Sequence, residues 1–232
     1  MPYATSLARK EFLLRTNSIL KICRNETARR VGLPSPAIEL LFQAAIFKTS
    51  AFIEVYLNDI ISDWLHDISI KGFTAVSLPE DLKWFSIVSA HIKEYEKFFV
   101  NKDEERLINS IKNKRQNQLL DNASSVSDLI HPNAVLGGRK YPSTKNIKLL
   151  FVRIGISDIF HLIDRRGHCA FQPIIQSFLD IRQAIAHQSP PALTLNDVTS
   201  QTHNVQRFIA AIDRELFSHV IRCHGNVCWR RN

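Results

Sequence analysis

Leu40-Leu41-Phe42-Gln43-Ala44-Ala45-Ile46-Phe47-Lys48-Thr49-Ser50-Ala51-Phe52-Ile53-Glu54-Val55-Tyr56-Leu57 lies inside the longest apolar-periodic stretch of the chain, which runs from Pro36 to about Ile68. Leu40, Leu41, Ala44, Ala45, Phe47, Ala51, Phe52, Val55 and Tyr56 recur at spacings of three and four, the period of an α-helix. The apolar arc is broad, so the pattern predicts a central helix packed on more than one side. With only 7 Gly against 14 Phe in 232 residues, and further long periodic runs on both sides, the whole chain reads as all-α. The expected architecture is one domain: a helical bundle with a long central helix and a loop-rich insertion.

Upstream, residues 5–31 form a helix by pattern, with Leu7, Leu14, Ile19, Leu20, Ile22 and Cys23 on its apolar side. Its remaining positions are basic: Arg9, Lys10, Arg15, Lys21, Arg24, Arg29 and Arg30. Gly32-Leu33-Pro34 breaks it, and Ser35-Pro36 supplies an N-cap and a first-turn proline for the central helix. Asp59, Asp63 and Asp67 line one face near the end of that helix. A solvated acidic face is the expected reading, since no complementary metal ligands stand elsewhere.

Downstream, Ser77-Leu78-Pro79-Glu80 spells a capping box for a helix to about Phe99, and a shorter helix follows from Asp103 to Leu120. The core is therefore expected at 36–120 and 144–222. Between them, residues 121–145 are dominated by Ser, Asn, Pro and Gly, with Gly137-Gly138, Arg139 and Lys140. That insertion reads as a structural connector or, more pointedly, as a loop gating a substrate. Helices are then expected at Thr144–Arg153, Ser157–Arg165, Ala170–Gln188 and, capped by Thr194 or Asn196, on to about Cys223. The last carries Val205, Phe208, Ile209, Ile212 and Leu216 on one face.

Lys+Arg number 30 and Asp+Glu 22, a net charge of +8, which favours a polyanionic partner such as RNA. Four cysteines are too few for a disulfide scaffold, and a reducing cytoplasm is the expected location. Cys223, His224 and Cys228, even joined by His168 and Cys169, match no standard zinc spacing, so neither a metal nor a cofactor is expected. The N-terminal residues lack an apolar signal core, and no uncharged apolar stretch of membrane-spanning length stands out, so no membrane association is expected.

The chemistry concentrates in Asp180-Ile181-Arg182-Gln183-Ala184-Ile185-Ala186-His187-Gln188-Ser189-Pro190-Pro191. Arg182 offers a fixed cation for a phosphate, and His187 a group that moves protons near neutral pH. At the end of a helix the dipole favours the protonated imidazole. Gln183 adds an amide to orient either one. Yet residues five apart on a straight helix lie about 140° from each other around its axis. A joint role needs either a helix that loosens before Pro190 or two copies meeting across a twofold axis. The structural alternative is an ion pair of Arg182 with Asp180 or with an acid on the central helix, His187 merely ending the helix. Arg165, Arg166 and His168 precede the motif helix and are candidate RNA-backbone contacts, together with Arg222, Arg230 and Arg231.

Arg182-Gln183-Ala184-Ile185-Ala186-His187, late in an all-helical chain, resembles the R-x-x-x-x-H signature of the HEPN superfamily. Ser50 to Leu57 is similar to the first core helix of its RiboL-PSP-HEPN branch. Asn146-Ile147 through Leu150, Ile154-Gly155-Ile156 and the helix after Asn196-Asp197-Val198 are similar to that branch too, and the resemblance spans roughly residues 36–222. It implies a metal-independent endoribonuclease cleaving RNA by 2′-hydroxyl attack, usually a homodimer, often a toxin or phage-defence effector with an antitoxin or defence-system partner. Arg182 and His187 take the catalytic positions in that resemblance. Gln183 takes a polar position where Asn is more usual, and Glu54 loosely matches a polar position on the facing helix. Where some family toxins carry a modifiable tyrosine two residues after the histidine, Ser189 stands here. The other reading kept open is a catalytically inactive helical module that binds RNA or protein.

Overall fold

The computed structural model describes residues 2–29, 32–137, 142–187 and 192–230. Among them are nine α-helices and no strand, only an isolated bridge between Thr74 and Ser125. The first helix, α1 (Leu7–Ala28), starts where the Ser6 hydroxyl accepts the Arg9 N–H. Its inward stripe is Ala8, Phe12, Thr16, Leu20 and Cys23, whereas Leu14 is exposed. The expected end of this helix at residue 31 lies outside the described residues, as does Arg30.

The central helix α2 (Ser35–Ile70) runs 36 residues, about 54 Å at the usual rise. Pro34 takes the N-cap position and Ser35 is already helical, so the expected serine cap is displaced by one residue and makes no side-chain bond. Helix α2 packs against α1 and against the later helices α8 (Phe171–Ala186) and α9 (Leu195–His224). That explains its broad arc: Ile46, Ile53, Tyr56, Ile60, Ile61, Trp64, Leu65 and Ile68 are all buried, while the outer-turn Leu40 is exposed. By length and composition α2 is also apolar enough to cross a membrane, contrary to the expectation from its charges; in this fold it serves as the core of the bundle.

The next helix, α3 (Glu80–Asn101), opens without the expected capping box. Ser77 ends a 3-10 turn and its hydroxyl donates to the Thr74 carbonyl, leaving Pro79 as N-cap. The predicted helix 103–120 is two pieces, α4 (Glu104–Lys112) and a 3-10 turn over Arg115–Leu120. The segment 121–145 is not a loop laid over one face. Val126, Leu129, Ile130 and Val135 are buried in the main core, and Pro132–Leu136 forms a short helix, α5. Gly138, Arg139 and Lys140 of this segment lie outside the described residues.

Helix α6 (Thr144–Arg153) has the expected bounds, capped by the Ser143 hydroxyl. Helix α7 (Ile159–Gly167), capped by Asp158, then leads through His168 in the left-handed region to α8. In α9, Thr194 and Asp197 form a reciprocal capping box. Its buried face includes Val205, Phe208, Ile209, Ile212 and Leu216, as the periodicity predicts.

Asp213 ties the N-terminal residues to this frame. Fully buried on α9, it accepts hydrogen bonds from Tyr3 Oη (2.5 Å), the Ser6 N–H (3.2 Å), the Ser6 hydroxyl and Tyr56 Oη (3.1 Å). On the same side of α2, Asp63 and Asp67 pair with Arg230 at 2.7 and 2.9 Å, and Asp67 also holds Lys71 at 2.8 Å. Burial works against the Asp67 carboxylate, but the hydrogen bonds from Lys71 and Arg230 outweigh it and keep its pKa below the ordinary value. The acidic face is thus partly neutralised by the C-terminal arginine. Arg230 is held there and does not belong to an open RNA surface; Arg231 lies outside the described residues.

Candidate active site

Helix α8 carries the motif. Phe171, Ile175, Phe178 and Leu179 are buried against α2, α7 and α9, with Ile181 and Ile185 partly covered. This burial fixes the helix rotation and so decides where the motif residues point. The helix does not loosen ahead of His187: the His187 N–H still donates to the Gln183 carbonyl at 3.1 Å, and the residue sits at φ −96°, ψ 20° as the C-cap. Of the two ways to unite the pair, the loosened helix is not seen up to His187; residues 188–191 lie outside the described ones.

Arg182 and His187 accordingly diverge within one chain. Arg182 is half-buried, its guanidinium 5.0 Å from the centroid of the Phe47 ring on α2, close enough for cation–π attraction. His187 is exposed. Gln183 is exposed too and shares a face with His187, because residues 176, 180, 183 and 187 repeat at helical spacing. Along that face Gln176 donates to Asp180 and accepts from the Thr144 hydroxyl, each at 2.8 Å. The result is a polar stripe anchored to the start of α6, ending in His187.

Arg165, Arg166 and His168 sit at the other end of α8, about 24 Å away along a 16-residue helix. Arg166 ion-pairs with Glu215 and donates to the Ser218 hydroxyl at 3.3 Å, which fastens it to α9. Arg165 and His168 are exposed. The structure therefore does not bring these three beside the motif pair of the same chain.

Phe47, the platform under Arg182, carries no sequence signal beyond its apolar spacing. Two turns further along the same face of α2 is Glu54, about 10 Å away by helix rise. It lines a small cleft of about 40 Å³ with Asn58, Asn146, Leu57, Pro142 and Leu150. Burial raises the pKa of its carboxyl group. Of the residues weighed as zinc ligands, His224 Nδ1 accepts from Trp64 Nε1 (3.3 Å), the Cys223 sulfur is 3.9 Å from His219 Nε2, and Cys228 is buried, its thiol pushed up to about 11. Among the described residues no three His, Cys, Asp or Glu side chains gather as a metal-holding group.

The family model described as RiboL-PSP-HEPN matches residues 10–218. No curated protein and no solved structure matches the chain.

Proposed function

Because the chain belongs to the RiboL-PSP-HEPN family, we propose that it is a metal-independent endoribonuclease whose active site is completed by two protomers. The observation that carries this reading is the divergence of Arg182 and His187 on a helix that stays regular to its end. If α8 of one protomer lies antiparallel to α8 of another, centred between Ala184 and Ile185, Arg182 of each stands level with His187 of the other. The small, exposed Ala186 side chain, which lies between the directions of Arg182 and His187, favours a close approach of the two helices. One twofold axis then generates two identical sites.

In each site the His187 imidazole accepts the proton of a ribose 2′-hydroxyl, and the O2′–P bond forms as the P–O5′ bond breaks. The imidazolium so formed then gives its proton to the leaving 5′-oxygen. A 2′,3′-cyclic phosphate and a 5′-hydroxyl result. Arg182, held flat on Phe47, stabilises charge growing on the non-bridging phosphate oxygens, and Gln183 orients the phosphate or the imidazole. The net charge of +8 supports a polyanionic substrate. A toxin or phage-defence role, with an antitoxin or defence partner holding the enzyme in check, is what the family implies for such an activity.

One observation favours a second reading. Arg182 set over the half-buried Phe47 ring serves equally well as a structural residue, which fits a silent module that binds RNA without cutting it. Incubation of labelled RNA with the protein in excess EDTA separates the two. Cleavage by the wild type that falls at least 100-fold in His187→Ala supports the enzyme. RNA that is retained but uncut points to the module.

A further inference from the structure

Helix α3 begins against the bundle and ends off it. Leu82, Lys83, Ser86, Ile87 and His91 are buried, but from Ile92 to Gln118 no side chain is. The second half of α3 and all of α4 thus form a helical hairpin with no core of its own. Such short helices are marginal in water unless a face is covered. The outer face of α3, from its first half into this hairpin, nevertheless exposes large apolar groups: Trp84 (54%), Val88 (55%), Ile92, Tyr95, Phe99 (66%) and Val100 (81%). A contiguous apolar face of this kind marks a docking surface, and aromatic residues are enriched in the cores of such surfaces.

The order of residues along the face says what covers it. Asp81, Trp84, Val88, Ile92, Tyr95, Phe99 and Lys102 follow one another at steps of three and four. Read backwards, the stripe matches itself. In an antiparallel pair centred between His91 and Ile92, Trp84 meets Phe99, Val88 meets Tyr95, and Asp81 meets Lys102. Lys102 is the left-handed C-cap of α3, its ammonium 5.4 Å from the centroid of the Phe99 ring, and Asp81 is exposed in the first turn. The acidic start of each helix then faces the basic end of the other, and each bulky ring faces a second apolar group. The charge of the hairpin also argues against RNA as the occupant. Residues 80–115 hold eight Lys or Arg against seven Asp or Glu, whereas a backbone-tracking surface is strongly basic.

We propose that the α3 face is an isologous interface with a second copy of this chain, formed by antiparallel pairing of the two α3 helices about an axis between His91 and Ile92. It is separate from any contact made by the motif helix, because α3 packs mainly on α4, α5, α6 and the 115–120 turn, while α8 packs on α2, α6, α7 and α9. The inference stands whether or not the chain cuts RNA. If both faces pair, assemblies larger than a dimer follow.

The test is the mass of the full chain in solution, by light scattering and sedimentation, together with oxidative cross-linking. Ile92→Glu should lower the mass by half or more with an unchanged helical circular-dichroism spectrum, since the residue is exposed in the single chain. Ile92→Cys should form a covalent dimer under mild oxidation, because only residues near the axis bring their Cβ atoms within disulfide reach. Val88→Cys alone should not, yet a mixture of Val88→Cys and Tyr95→Cys proteins should. A monomeric wild type, a mass unmoved by Ile92→Glu, or equal cross-linking of Val88→Cys and Ile92→Cys overturns the proposal.

Discussion

Replacing Asp213 by Asn changes almost no volume, so it probes the polar knot joining the N-terminal residues, α2 and α9 without opening a cavity. The carboxylate receives four hydrogen bonds, two at each oxygen: Tyr3 Oη and the Ser6 N–H at one, the Ser6 and Tyr56 hydroxyls at the other. An amide keeps one acceptor oxygen and turns an N–H₂ group toward the other two donors. Hydrogen bonds to a charged group contribute about 1.5–3 kcal/mol each. Tyr3 is only half-buried and its hydroxyl can turn to water, which places the total near the lower end, about 3–4 kcal/mol. In a chain of this length that corresponds to a melting temperature lower by roughly 10 °C. Urea unfolding should show a reduced midpoint with an unchanged slope. Tyr56→Phe removes a single donor and strands no acceptor, so it should cost about 1.5 kcal/mol, the lower end of that range. Because both variants act on one carboxylate, the double variant should lose less than the two losses added together. An Asp213→Asn protein within about 1 kcal/mol of wild type would refute the assignment of the knot as a main stabilising feature.

Two further perturbations separate stability from function. His219 and His224, buried around Trp64, are both pushed down to about 4, chiefly by burial, with Arg222 adding to the first and His219 to the second. The unfolded chain therefore binds more protons between pH 6.5 and 4, so this contribution to stability is complete above 6.5 and is lost as pH falls toward 4. The pair should account for a loss on the order of 3 kcal/mol, screened by residual solvent, and His224→Phe should make the pH dependence of the urea midpoint shallower. A slope unchanged by that substitution would remove the histidines from the account. For the proposed ribonuclease, Phe47→Leu takes away the ring beneath Arg182 while keeping an apolar side chain. A cation–π contact of about 1–2 kcal/mol predicts a fall in kcat of roughly 5- to 30-fold, with the urea midpoint changed much less than by Asp213→Asn. Full activity in Phe47→Leu would show that the stacked position of Arg182 has no part in cleavage.

The long helices are legible because their information is local. The three- and four-residue spacing in α2 and α9 is a property of the chain alone, and so is the Thr194–Asp197 capping box. The segment 121–145 is not legible in that way. Its Val126, Leu129 and Ile130 stand three and four apart yet form no helix, and Val135 on α5 is buried against α2 and α3, which lie far away in sequence. Arg230 finding Asp63 and Asp67 across more than 160 residues is equally invisible to spacing. In α1 the pattern finds Leu20 and Cys23 but also points at Leu7 and Leu14, whereas the docked face continues through Ala8, Phe12 and Thr16, because packing on α2 and α9 sets the rotation of the helix. The candidate site divides along the same line. The angle between Arg182 and His187 follows from helix geometry, whereas the stacking of Arg182 on Phe47 depends on how α8 lies against α2.

The two apolar–polar faces of the molecule call for different partners on charge grounds. The hairpin of residues 80–115 is nearly neutral, with eight basic and seven acidic side chains, so almost all of the +8 lies elsewhere in the chain. Part of that remaining charge is already committed: Arg166 to Glu215, Arg230 to Asp63 and Asp67. Arg165, which stays exposed, stands in the last turn of α7, far from His187 of its own chain. Antiparallel pairing of α8 about Ala184 and Ile185 does not close that gap, because it joins the C-terminal ends of the two helices and leaves both α7 ends pointing outward. Phosphates held near Arg165 would then sit many nucleotides from the bond being cut. On this geometry Arg165→Ala should weaken RNA retention and lower its salt sensitivity by about one counterion, while leaving cleavage of a short oligonucleotide intact. A short substrate that loses cleavage with Arg165→Ala would instead require a pairing of α8 helices offset toward α7.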